Sequence, residues 1–130
     1  MSNIPADLKY ADSHEWVRAE ANEVVVIGIS DYAQEKLGDV VFVELPDIGE
    51  EFNAGDPVAV VESVKAASDI YTPVTGTVTD VNTSLEESPE QLNEDAYENG
   101  WLFKLKMSDP EEINDLMDAD SYADQCSEEE

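Results

Sequence analysis

Lys65 is the side chain that spacing favours most for chemistry. It stands in Glu62-Ser63-Val64-Lys65-Ala66-Ala67-Ser68-Asp69, between two strand-like runs, Pro57 to Val61 and Ile70 to Val74. A strand–turn–strand arrangement fixes the backbone of such a residue and leaves its side chain in solvent. Ser63, Ala66, Ala67 and Ser68 are small, so a modifying enzyme can close around the turn. The chain has 6 basic residues against 32 acidic ones, which argues against a lysine placed here only for solubility. Its amine can be acylated by a carrier group, which removes the ammonium charge and extends the reach of the side chain. An ordinary solvated lysine satisfies the same spacing, and spacing alone favours that plainer reading.

Other chemistries find little support. A metal centre needs several converging ligands, and His14 and Cys126 are the sole histidine and cysteine. The acids form no D-x-D-x-D-G calcium loop. Gly28, Gly38, Gly49, Gly55, Gly76 and Gly100 are isolated at expected turns or bulges, so there is no glycine-rich phosphate loop. No G-x-S-x-G elbow occurs, and His14 beside Ser13 or Ser30 is too common a pairing to signal a triad. With 32 acids, any chosen carboxylate pair is uninformative. His14 reads as a packing residue.

The elements that must position Lys65 are mostly short strands. Glu15–Glu20 and Val24–Ile29 form a hairpin around Ala21-Asn22-Glu23, the second arm being rich in β-branched residues. Asp31 to Gly38 reads as a short helix, with Asp31 as N-cap, Gln34 completing a capping box and Gly38 ending it. Asp39–Leu45 is a strand with Val41, Val43 and Leu45 on one face. Pro57–Glu62 climbs to Lys65 and Asp69–Thr72 descends from it. Pro73–Asn82 holds a turn and a strand, with Val74, Val78 and Val81 in the core. Ser88-Pro89-Glu90-Gln91 and Asp109-Pro110-Glu111-Glu112 carry helix-start signatures. Trp101–Met107 alternates as a half-buried strand. Ile113, Leu116 and Met117 form an apolar stripe on a terminal helix, with a second helix from Ser121, against the sheet edge. The pattern predicts a mostly β sandwich or flattened barrel with a few short helices.

Length fits one domain, expected over residues 1–126, with 127–130 as a frayed acidic tail. The net charge of -26 excludes nucleic-acid binding and disfavours anionic membranes. Like charges crowded on one surface oppose compaction unless salt shortens the Debye length, to about 3 Å at 1 M. The spread of acids suggests a salt-rich, halophile-like interior; a merely acidic bacterial protein is the alternative. One cysteine allows no internal disulfide. No apolar run approaches the ~20 residues of a membrane helix, and residues 1–7 lack a basic leader pattern, so a cytoplasmic location is expected.

The attachment turn resembles that of the glycine cleavage system H protein family. The likeness is carried by Glu62-Ser63-Val64-Lys65-Ala66, Ser68-Asp69 and Pro73-Val74-Thr75-Gly76. Tyr10-Ala11, Ser13-His14-Glu15-Trp16-Val17, Ile27-Gly28-Ile29 with Ala33, Leu37 through Pro46, and Asn99-Gly100-Trp101 extend it from about Leu8 to Cys126. The resemblance implies a lipoyl/biotinyl-type β sandwich (a barrel-sandwich hybrid) with a C-terminal helix and lipoic acid amide-linked to Lys65. It also implies a monomeric carrier that catalyses nothing itself. A pyridoxal-phosphate glycine decarboxylase loads an aminomethyl group on the arm. A tetrahydrofolate-dependent aminomethyltransferase takes it, and a flavin dihydrolipoyl dehydrogenase re-oxidises the dithiol. A lipoate-attaching enzyme recognises Glu62, Ser63, Val64 and Ala66 around the lysine. The loaded arm folds into a cleft lined by Ser13, Glu15 and Asp69. A biotinyl carrier is disfavoured because Val64 and Ala66, not methionines, flank Lys65. A relay that supplies lipoyl groups to other enzymes, and an unmodified acidic interaction module, stay open. The acid load departs from the family pattern and weakens any steering of partners by opposite charge.

Overall fold

The computed structural model describes residues 4–129; residues 1–3 and Glu130, the last residue of the expected acidic tail, lie outside the described residues. In chain order the strands are β1 (Lys9–Tyr10), β2 (Glu15–Ala19), β3 (Val24–Ile29), β4 (Val40–Glu44), β5 (Glu51–Phe52), β6 (Pro57–Ser63), β7 (Ala67–Tyr71), β8 (Gly76–Val81) and β9 (Phe103–Met107). The helices are α1 (Asp31–Leu37), α2 (Ser84–Glu87), α3 (Gln91–Glu94) and α4 (Ala119–Glu129). One sheet runs β1-β2-β3-β9-β8-β5, the other β4-β6-β7, all with antiparallel neighbours. This is the expected mostly β architecture with a few short helices.

The sheets share one core. Val17, Val25, Ile27, Ile29, Val78 and Leu105 of the first meet Val43, Ala59, Val61 and Ile70 of the second. A second apolar cluster, with Tyr10, Trp16, Val26, Tyr32, Tyr122 and Cys126, packs behind the first sheet. β3 is thus buried on both faces, which explains its unbroken apolar run in place of alternation. Gly28 pairs with Trp16, and a β-carbon at Gly28 would stand 2.7 Å from the indole ring.

Several local expectations need correction. Ser30, not Asp31, caps α1: its Oγ accepts from the Ala33 N–H at 3.1 Å, while Asp31 is the first helical residue and its carboxylate accepts from Gln34 Nε2. A bulge between Val40 and Phe42 breaks the alternation of β4, so Val40 and Val43 are buried and Val41 and Phe42 exposed. The helix expected at Ser88 starts later, at Gln91, because Ser88 already closes α2 through its N–H to the Ser84 carbonyl. Pro110–Asp115 forms only a 3₁₀ helix. Met117 leaves the stripe to exchange two 2.8 Å backbone hydrogen bonds with Tyr10. α4 continues through Glu129, so Ser127 to Glu129 form its last turn rather than a frayed end.

Gly28→Ala should cost about 2 kcal/mol by overpacking against Trp16. Urea unfolding should show a lower midpoint at unchanged slope.

Candidate functional site

The tip of the β6–β7 hairpin is tighter than sequence indicates, because β7 begins at Ala67. The Ser63 N–H donates to the Ala66 carbonyl at 2.8 Å. Ser63 Oγ accepts from the N–H groups of Lys65 and Ala66, both at 3.2 Å, and donates to the Ala66 carbonyl. The serine acts as a local turn cap. The Val64 N–H reaches the Asp39 carbonyl at 3.0 Å and ties the tip to the segment that follows α1. Every N–H from Ser63 to Ala66 therefore has a partner, and Lys65 projects from a fixed backbone with an exposed side chain. Among the described residues its amine has no ion-pair partner.

The Lys65 stem crosses Gly38. A β-carbon there would stand 3.3 Å from Lys65 Cε and 3.7 Å from Nζ, and Gly38 has φ +78°, a region that favours glycine. Gly38 thus ends α1 and clears space for the lysine. Asn93 of α3 holds this junction: its amide donates to the Gly38 carbonyl at 2.9 Å and its oxygen accepts from the Val40 N–H at 2.8 Å.

A cleft of about 410 Å³ opens beside this junction. Tyr32, Ala33, Lys36 and Leu37 of α1 form one wall, Ser68, Asp69 and Ile70 of β7 another, and Ser13, His14 and Ile29 close it. Apolar walls carrying a carboxylate and hydroxyls suit an aliphatic chain with a polar or cationic tip. Lys36 brings a cation to the same cleft, its Nζ 5.3 Å from the Tyr32 ring centre.

Of the three residues expected here, Ser13 and Asp69 line the cleft and Glu15 does not. Glu15 is 1% exposed and lies behind Ser13. Its carboxyl accepts from Ser13 Oγ and, at 3.2 Å, from the Tyr71 N–H. Ser13 and Tyr71 also border a second groove of about 450 Å³, so Glu15 stands in the partition between two openings. Burial pushes its carboxyl up to about 7, against the hydrogen bonds from Ser13 and Tyr71 that favour ionisation. Glu62, Ser63, Val64 and Ala66 cluster at the tip as expected, with Val64 66% exposed.

Sequence reading missed His14, Lys36 and Ser68 as lining residues. The i, i+4 pairs Tyr32/Lys36 and Ala33/Leu37 were the available signal, since this spacing puts them on one face of α1.

The glycine cleavage H-protein family model matches residues 8–129. A glycine cleavage system H protein of Idiomarina loihiensis is 58% identical over 122 residues, 94% of this chain and 95% of the relative. One from Photorhabdus laumondii is 54% identical over the full length of both chains. The crystal structure of a glycine cleavage system H protein from Mycobacterium marinum is similar with a TM-score of 0.87 and 36% identity, covering 95% of this chain and 99% of that one.

Glu15 yields a pH prediction. Its folded value lies above the ordinary 4.5, so folding holds a proton that the unfolded chain releases. Its stabilising contribution is fully present below about 4.5 and is lost as pH rises through about 7. The difference in unfolding free energy between wild type and Glu15→Gln should therefore fall across that window. Urea titrations at a series of pH values measure it, and a constant difference would contradict the buried-carboxyl account.

Proposed function

The chain belongs to the glycine cleavage H-protein family, and we propose that Lys65 bears the lipoyl group of this carrier. The protein is a non-catalytic carrier of the glycine cleavage system. The observation that carries the assignment of Lys65 is its place on a fully hydrogen-bonded turn, with its stem laid over Gly38, the residue after the cleft-lining Leu37. When bound, lipoic acid supplies a dithiolane that takes up the aminomethyl group of glycine and is later re-oxidised.

This chain's own residues then do three things. Ser63 fixes the direction in which the arm leaves the hairpin. Ile29, Ala33, Leu37 and Ile70 offer apolar walls to its aliphatic length. Ser13 and Asp69 offer a hydroxyl and a carboxylate to a cationic tip, and Glu15 holds Ser13 in place from behind. A cargo held there is shielded from water, and release presents it to the next enzyme at the high effective concentration of a tether. The partners on this reading are the glycine decarboxylase, the aminomethyltransferase, dihydrolipoyl dehydrogenase and a lipoate-attaching enzyme that engages Glu62, Ser63, Val64 and Ala66. The shared core of the two sheets supports a single carrier domain.

A cytoplasmic setting agrees with the absence, among the described residues, of a helix long and apolar enough to cross a membrane. A salt-rich interior agrees with the charge. The ion pairs of Arg18, Lys104 and Lys106 are at 3.6 to 3.9 Å on the surface, too weak to offset the acid excess.

Lys65→Arg should keep the fold, with stability within about 0.5 kcal/mol of wild type, because the turn is held by Ser63 and backbone groups. It should abolish glycine cleavage by the reconstituted system; retained turnover would refute Lys65 as the attachment point. The thermal midpoint should rise with added salt as surface repulsion is screened. A midpoint that stays constant from low to molar salt would remove the case for a halophile-like protein.

A further inference from the structure

We propose that Tyr122, on the C-terminal helix, is a positioning residue for the arm cleft. Tyr122 is fully buried, and its ring stacks on Tyr10 with centroids 4.5 Å apart and planes 1° from parallel. Its hydroxyl lies 2.5 Å from Ser30 Oγ and 2.7 Å from His14 Nδ1. Those two partners belong to different parts of the cleft's frame. Ser30 caps α1, whose residues Tyr32, Ala33, Lys36 and Leu37 form one wall. His14 lies between Ser13 and Glu15 and itself lines the cleft. One hydroxyl therefore joins the base of the helical wall to the loop that carries Ser13.

The chemistry of the three groups makes this link directional. A phenol has one proton to donate and an oxygen that accepts, so His14, Tyr122 and Ser30 form a chain in which each bond reinforces the next. The backbone of His14 shows what the chain holds in place. Its φ of +77° is a left-handed conformation that strains a non-glycine residue. The surrounding bonds fix it: its N–H donates to the Ala11 carbonyl at 3.0 Å and its carbonyl accepts from the Ser30 N–H at 2.9 Å. Ser30 is thus bonded to His14 twice, directly through its backbone and indirectly through Tyr122. His14 packs its ring against Tyr32 of the α1 wall, centroids 5.0 Å apart. Without the phenol hydroxyl, the backbone link and the packing on Tyr32 remain, but His14 Nδ1 loses its hydrogen bond to Tyr122 and the ring is held less firmly at the cleft. The C-terminal helix, which lines none of the cleft, sets its geometry.

This inference rests on the reading of the cleft as the resting place of the loaded arm. The step at stake is loss of cargo to water. Water adds across the carbon–sulfur bond, the sulfur keeps a proton as thiol, and formaldehyde and ammonium leave. Tyr122→Phe removes only the hydroxyl and keeps the stack on Tyr10. Equally lipoylated wild type and variant, loaded from glycine labelled with ¹³C at its methylene, are compared by NMR. His14 is the single histidine of the chain, so one set of imidazole signals reports the cleft.

In wild type those signals should shift on loading and the labelled carbon should decay slowly. In Tyr122→Phe the imidazole signals should already be displaced before loading and should respond little to it. The label should decay about fivefold faster, the effect of one lost hydrogen bond. Val78→Ala, destabilised in β8 away from the cleft lining, should keep the wild-type shift and decay. A Tyr122→Phe protein with wild-type imidazole response and decay would overturn the proposal. Imidazole signals in wild type that ignore loading would instead overturn the resting-place reading. Should Tyr122→Phe fail to fold, Ser30→Gly, which keeps a permitted helix cap, must reproduce the faster decay or the proposal falls.

Discussion

A single buried carboxyl, that of Glu15, joins the two sheets where the cleft opens. It sits on β2 of the larger sheet and accepts the N–H of Tyr71 on β7 of the smaller one. The same group holds the hydroxyl of Ser13. The hairpin that carries Lys65 is therefore keyed to the loop that closes the cleft. Hydrophobic burial alone would let the sheets slide, since it is non-directional. A hydrogen-bonded carboxyl removes that freedom, at the cost of burying a group that burial drives towards its neutral form.

The rest of the site follows from that register. With β7 fixed against β2, Asp69 faces the loop of Ser13, and α1 can span the gap between them. Gly38 ends α1 beneath the Lys65 stem, and Asn93 clamps that end from α3. The proposed attachment point and the cleft are then built from separate parts of the chain but share one junction. A carrier needs this combination, because its rigid parts must offer a tethered group two places to be, in solvent and at rest. None of these groups has to react; the chemistry belongs to the tethered group and the partner enzymes.

Much of this was legible in the sequence where signals were local. The Val24–Ile29 run, the Gly38 stop and the strands either side of Lys65 depend on propensity and on turns within a few residues. Four of the misreadings share one cause, a partner distant in sequence. Ser30 and Asp31 are both good caps, and the choice is reinforced by Tyr122, 92 residues away. Val41 and Val43 alternate like one face of a strand, but a bulge in pairing with β6 puts Val41 in solvent. Glu15 is expected in the cleft lining, and its place behind Ser13 depends on Tyr71, 56 residues on. Met117 is taken from its helical stripe by pairing with Tyr10. Composition gave the acid excess but could not show that cations such as Arg18, Lys36 and Lys104 lie over aromatic rings.

Peptide mass mapping of the protein purified from its own cells, grown with lipoate, tests the assignment of Lys65 most directly. The peptide that contains Lys65 should carry a lipoyl increment, and the peptides that contain Lys9, Lys36, Lys104 and Lys106 should be unmodified. An unmodified Lys65, or the increment on any other lysine, would contradict the account.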